Sequence, residues 1–192
     1  AVKRTDSKLV MLSIHVMESI VSYLFDDVAF VMKKLWIITK YEREVRGHFI
    51  AGFFQTWLAI FHYESFHLTE KRIHKRLARR SHRRVQFWST TGTEMLLGPT
   101  SLLDAMESLC VRKSPIDNVM LAFQHAASIC NTNRCRLFEG LAYERLTKAV
   151  HFHEPERVHY SIYQHQAVEL YRTWGAVAKA NHLEKLFDTT YH

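Results

Sequence analysis

The stretch SPIDNVMLAFQHA, residues 114–126, decides the fold class. Ser114 is a capping residue, and Pro115 suits a first helical position, where its missing N–H costs nothing. Val119, Phe123 and Ala126 then recur at i, i+4 and i+7, the period of one helical face. Tyr160, Gln164 and Ala167 repeat that spacing, and Ala126 and Ala167 stand 41 residues apart. A small residue lets two helices approach, and an aromatic one fills the groove beside it. Gly140 and Ala142, with Tyr143 next to them, read as further close-approach positions. The pattern predicts helical repeats, with a non-repetitive bundle as the alternative that the same periodicity allows.

Composition agrees with helices throughout. Apolar residues make up 47% of the 192, too many for a disordered chain, while 6 Gly and 3 Pro are too few for the turns of a β-sandwich. Nine helices are expected, over about Ser7–Phe25, Asp27–Arg46, His48–Tyr63 and Thr69–Trp88, then two more, of which only the first has an undefined start. Of those two, the first begins either within Thr93–Gly98 or at Pro99, and the second starts at Ser114–Pro115. The last three are expected at Asn133–Val150, from Glu154–Pro155 to Trp174, and at Ala176–Phe187. Asp26 or Asp27 is placed to cap the second, and Gly47 to end it. The first helix is apolar around most of its circumference and reads as buried on most sides. In the second, Val28, Val31, Met32, Leu35, Trp36 and Ile38 read as inward. Phe49 to Phe61 reads as a buried helix, because it is too short to cross a bilayer.

The architecture expected is all-α: antiparallel helix pairs stacked as a right-handed solenoid of tetratricopeptide type. Residues 1–94 would form N-terminal hairpins and residues 95–192 the repeats, in one array. A chain opening on Ala1 with so apolar a first helix reads as a fragment of a longer protein. Three cysteines, Cys110, Cys130 and Cys135, fit a reducing, cytoplasmic setting and small buried roles better than a disulfide framework.

The C-terminal third resembles a known family. The run Phe138-Glu139-Gly140-Leu141-Ala142-Tyr143-Glu144-Arg145-Leu146, followed by Ala167 to Lys179, is similar to the tetratricopeptide-like region after the AAA-type predicted ATPase module of large multidomain sensors. Tyr171-x-x-Trp174-Gly175-Ala176-x-Ala178-Lys179 is its most specific part. The resemblance covers roughly residues 95 to 187, and residues 1 to 94 only in general character. It implies a segment between an ATPase and an output region such as a kinase or cyclase. It implies no catalytic residue, since this region of the family has none known and the family's ATP-binding loop lies elsewhere. Independently of the family, Gly175 permits the reversal after Trp174, and Ala176 and Ala178 allow close docking.

Chemistry-bearing patterns are sparse. Gly98-Pro99-Thr100 lacks the length and the lysine of a phosphate loop. The 13 histidines show no metal-ligand spacing, and the carboxylates form no acid/base couple. No metal, cofactor or catalytic residue is expected. The packing positions of the repeats are Val119, Phe123, Ala126, Gly140, Ala142, Ala167, Tyr171, Trp174 and Gly175.

One feature predicts a partner. Lys71, Arg72, Lys75, Arg76, Arg79, Arg80, Arg83 and Arg84 fall in 14 residues without an acid, and account for the net charge of +7. They sweep roughly 220° of a helical wheel. Ile73, Leu77, Val85 and Trp88, with Ala78 and Ser81, are left as the packing stripe. Such a face wants an acidic partner: a neighbouring domain, an anionic membrane surface or nucleic acid. Aromatics are not interleaved on it, which disfavours nucleic acid. The function expected is a non-enzymatic scaffold or relay contacting flanking domains of its own polypeptide or a protein ligand. The alternative is a basic module that binds nucleic acid or an anionic surface.

Overall fold

The computed structural model describes residues 2–45, 47–48, 50–111, 114–153 and 160–190, with side chains placed for 8–152 and 161–186 of these. The described residues form nine α-helices and no strand. They are α1 (Val2–Leu24), α2 (Val28–Lys40), α3 (Ala51–Thr69), α4 (Arg72–Thr90), α5 (Leu97–Leu109), α6 (Ile116–Thr132), α7 (Arg136–His153), α8 (Tyr160–Thr173) and α9 (Val177–Thr190). Short 3-10 turns cover Glu42–Val45 and Glu94–Leu96. The chain divides into two compact units, Ala1–Trp88 and Ser89–His192.

The first unit is built around α3. Residues 54 to 63 of that helix are all buried, so no face of it meets water over nearly three turns. Tyr23 of α1 packs edge-on against Trp57 and Phe61, with ring centroids 6.0 and 5.7 Å away. Leu12, Val16 and Ile20 of α1 and Val31, Leu35 and Ile38 of α2 close the same core. Each such side chain contributes about 1.5–3 kcal/mol on burial. Asp27 caps α2 by accepting the Phe30 N–H at 3.0 Å. In α4 the buried stripe is Ala78, Ser81, His82, Val85 and Ser89.

In the second unit each helix from α5 to α9 packs on the next, and α5 also reaches α7. Three loops in the protein close in one way. After α1, α6 and α8, the second residue past the cap donates to the carbonyl five residues back: Asp27 to Ser22, Cys135 to Cys130 and Ala176 to Tyr171, each at 2.8 Å. The residue before each is left-handed: Asp26 (φ 64), Arg134 (φ 56) and Gly175 (φ 92). This closure satisfies two orphan carbonyls and reverses the chain. Glycine makes it cheap at 175 alone.

Close approach requires glycine at two places. A Cβ on Gly98 would lie 3.0 Å from Cys130 Sγ and 3.3 Å from its Cα. On Gly140 it would lie 3.2 Å from the Tyr171 ring. That ring is fully buried, so it has little room to yield. Gly140→Ala is expected to cost about 1–2 kcal/mol by overpacking, although alanine favours helix. Urea denaturation at matched slope checks this, and a gain in midpoint would refute the contact.

Several sequence expectations shift. Pro115 is the cap of α6, with no side-chain bond, and Ser114 stands outside it. Pro99 is the third residue of α5, still within the turn whose N–H groups lack helical partners. The second helix ends at Lys40 and gives way to the Glu42–Val45 turn, so Gly47 (φ 81) follows that turn. Trp36 is 64% exposed, because α2 turns only Val31, Leu35 and Ile38 fully inward. Ile73 is likewise 43% exposed, and Leu77 and Trp88 are half-buried. The expected start at Glu154–Pro155 lies outside the described residues, as do Arg46 and Phe49.

Candidate interaction surfaces

α4 carries seven of the eight cations singled out in the sequence, and Lys71 directly precedes it. Arg72, Arg76, Arg79, Arg80 and Arg83 are exposed, as is Lys71, while Lys75 and Arg84 are half-buried. The cationic face is not uniform. Glu42, in the 3-10 turn after α2, is only 7% exposed and pairs with Arg84. Arg80 stands 3.7 Å from the same carboxylate oxygen, and Gln55 Nε2 donates to it at 3.3 Å. The Lys75 ammonium lies 5.2 Å from the Phe66 ring centre. Arg72, Arg76 and Arg83 have no acid partner among the described residues. One carboxylate 38 to 42 positions upstream therefore anchors the C-terminal half of the basic helix, and three guanidinium groups stay open.

The seam between α3 and α4 is lined by histidines. His62 is buried, and its Nδ1 lies 3.1 Å from His74 Nδ1. Burial, and then the neighbouring His74, push His62 down to about 3. Burial and Lys71 lower His74 as well. Both rings are neutral at pH 7, so one donates and the other accepts. His82 turns inward to the Tyr63 hydroxyl at 3.0 Å. Among the described residues no group of three or more His, Cys, Asp or Glu is placed to hold a metal ion.

α1 has two apolar faces. Leu12, Val16, Ile20 and Tyr23 are at most 5% exposed and point into the core. Val10 (58%), Ile14 (52%), Met17 (53%) and Val21 (53%) occupy another arc, with Met11 (56%) beside them. The two arcs are centred about 140° apart at 100° per residue. This corrects the expectation of a helix buried on most sides. α1 packs on α2, α3 and the Glu42–Val45 turn. The outer residues are spaced 4, 3 and 4, the rhythm of a helix–helix seam. Nothing in their sequence distinguishes them from the core face, which has a similar rhythm.

In the second unit Val119, Phe123, Ala126, Gly140, Ala142, Ala167 and Tyr171 are all buried. Trp174 is not: it is 47% exposed after the end of α8, while Ala167, Val168, Tyr171, Ala180 and Leu183 form the core there. Gln164 is only half-buried. What the sequence did not reveal is a charge cluster at Glu144, which is fully buried. It accepts from Lys148 at 3.0 Å, Lys179 at 3.1 Å and the Tyr171 hydroxyl at 3.1 Å. Burial alone would raise this carboxyl. The ammonium groups of Lys148 and Lys179, with Arg145, outweigh it and hold the group well below the usual carboxylate range. Burial, then Cys135 and Glu139, push the Cys130 thiol up to about 12, so it is no nucleophile at neutral pH.

No protein-family model, curated protein or solved structure matches the chain. No helix among the described residues is long and apolar enough to cross a membrane.

Proposed function

We propose that the chain is a non-enzymatic helical-repeat scaffold or relay segment of a larger intracellular signalling protein. The observation that carries this reading is the outer stripe of α1. Five large apolar side chains more than half exposed on one helix is the kind of contiguous patch that marks an interaction site. Its occupant in this reading is a flanking domain of the same polypeptide or a protein ligand. The local packing of α5 to α9, each helix on its neighbours, supports a tetratricopeptide-like right-handed stack. In such a stack a bend at one end reaches the other through successive interfaces. The similarity of Tyr171 to Lys179 to the segment after a predicted ATPase supplies the relay.

Two experiments test it. The sequence upstream in the parent gene should encode a phosphate-binding loop, and an unrelated neighbour there would sink the relay. Independently, Ile14→Lys with Met17→Glu places two charges on the stripe at positions the core does not use. The double variant should keep its helicity and melting point within about 1 kcal/mol. It should lose the concentration-dependent association that an uncovered stripe gives the purified chain in sedimentation. Monomeric wild-type chain at high concentration would count against the stripe.

A second reading is favoured by the three open guanidinium groups: α4 as a docking face for an anionic membrane surface. The informative variant is Arg72→Ser, Arg76→Ser, Arg83→Ser, which leaves the Glu42 anchor intact. Wild-type chain should float with phosphatidylserine vesicles at low salt and the triple variant should not. No flotation of wild type removes this reading.

A further inference from the structure

The start of α3 and the last turns of α4 enclose a hollow of about 510 Å³ lined by Ala51, Gln55, Arg83, Arg84, Phe87 and Trp88, among others. We propose that this hollow binds a small organic oxyanion, that is, a molecule with one phosphate or carboxylate group at one end and a flat ring at the other. The inference stands apart from the scaffold reading and from the stripe on α1.

Four features define the ligand. The volume is that of a site for a small organic molecule and exceeds what a bare ion needs. Arg84 is neutralised by Glu42, but Arg83 is exposed with no acid partner among the described residues. Of the two cations that line the hollow, Arg83 and Arg84, only Arg83 is therefore left to meet an oxyanion. Phe87 stands one helical turn from Arg83, at i+4, and is 63% exposed. Side chains at i and i+4 share one face of a helix, so the Arg83 guanidinium and the Phe87 ring border the same side of the hollow. Trp88, half-buried, gives the ring a second apolar wall. Lastly, Gln55 is 3% exposed, its Nε2 is committed to Glu42, and its Oε1 is buried without a donor. A small rotation of that amide toward the hollow would let a ligand hydroxyl or N–H supply one.

This differs from diffuse attraction to the basic face. It predicts that the ring matters as much as the charge, and that cations elsewhere on α4 do not matter. Calorimetric titration of the full chain with phenyl phosphate, adenosine monophosphate and inorganic phosphate tests it. At least one of the two ring compounds should bind 1:1, and about tenfold or more tighter than inorganic phosphate. If the nucleotide is the tighter, the source is a nucleotide pool; if phenyl phosphate, a phosphorylated aromatic. Arg83→Gln and Phe87→Ala should each weaken that binding by about tenfold, and Arg76→Gln, exposed on the same helix, should not. Circular dichroism of each variant shows whether it is folded. Three results would overturn the proposal: no saturable binding of either ring compound up to about 10 mM, equal binding of inorganic phosphate, or an Arg76→Gln loss as large as that of Arg83→Gln.

Discussion

Glu144→Ala is expected to lower the stability of the chain by about 3–5 kcal/mol, the largest single effect foreseen here. Glu144 lies on α7, Tyr171 on α8 and Lys179 on α9, so one carboxylate ties three helices. Removing it takes from the Lys179 ammonium, itself only 3% exposed, the carboxylate to which it donates. It also leaves the Tyr171 hydroxyl without its acceptor. The cost comes mostly from keeping a cation buried after its carboxylate is gone. It follows that Glu144→Ala with Lys179→Met should recover part of the loss, because the buried ammonium is then removed together with its carboxylate. Lys179→Met alone should cost less than Glu144→Ala, since Lys148 still pairs with the carboxylate. Urea denaturation of the four chains closes the cycle. Additive single effects would show that the pair is not coupled. The pH dependence follows in sign. Glu144 is held below its unfolded pKa, so its stabilisation is present above about pH 4.5 and fades as pH falls below that, toward the folded value.

Glu42→Ala is expected to cost about 2–3 kcal/mol, less than Glu144 because Arg80 and Arg84 keep some water. Here the loss should be salt-dependent. Without Glu42 the guanidinium groups of α4 repel one another with nothing to draw Arg80 and Arg84 inward, and Gln55 Nε2 loses its acceptor. Added salt screens the repulsion, so the deficit relative to wild type should shrink between about 0.05 and 1 M NaCl. Hydrogen exchange should place the loosening in α4. A deficit independent of salt, or one spread evenly over the first unit, would mean that Glu42 acts only by filling space.

These two carboxylates mark the limit of what the sequence reveals. Helix type and number were legible, because Gly and Pro are scarce and the apolar period is helical throughout. Caps with a local signature were legible too: Asp27 bonds Phe30, and Gly175 turns the chain after α8. The reversals at Asp26 and Arg134 were not, since neither residue advertises a left-handed backbone. Pairs distant in sequence were equally hidden, Glu42 with Arg84 and Glu144 with Lys179. An acid's neighbours across helices depend on packing that periodicity does not specify. The basic face of α4 was visible as a pattern. Its division into anchored and open guanidinium groups was not. On α1 the pattern misled, because an apolar residue bound for a partner and one bound for the core look alike.

Native methionines give the most direct test of the central claim, that the outer face of α1 is an interaction surface. Met11 and Met17 lie on it, 56% and 53% exposed; Met95, 72% exposed, lies in the second unit; Met106 is 3% exposed. Oxidative footprinting of the purified chain, dilute enough to be monomeric, should modify Met11, Met17 and Met95 and spare Met106. In the cell that makes the protein, Met11 and Met17 should be protected while Met95 stays reactive. If Met11 and Met17 are oxidised there as readily as in the purified chain, the stripe has no occupant and the scaffold account is contradicted.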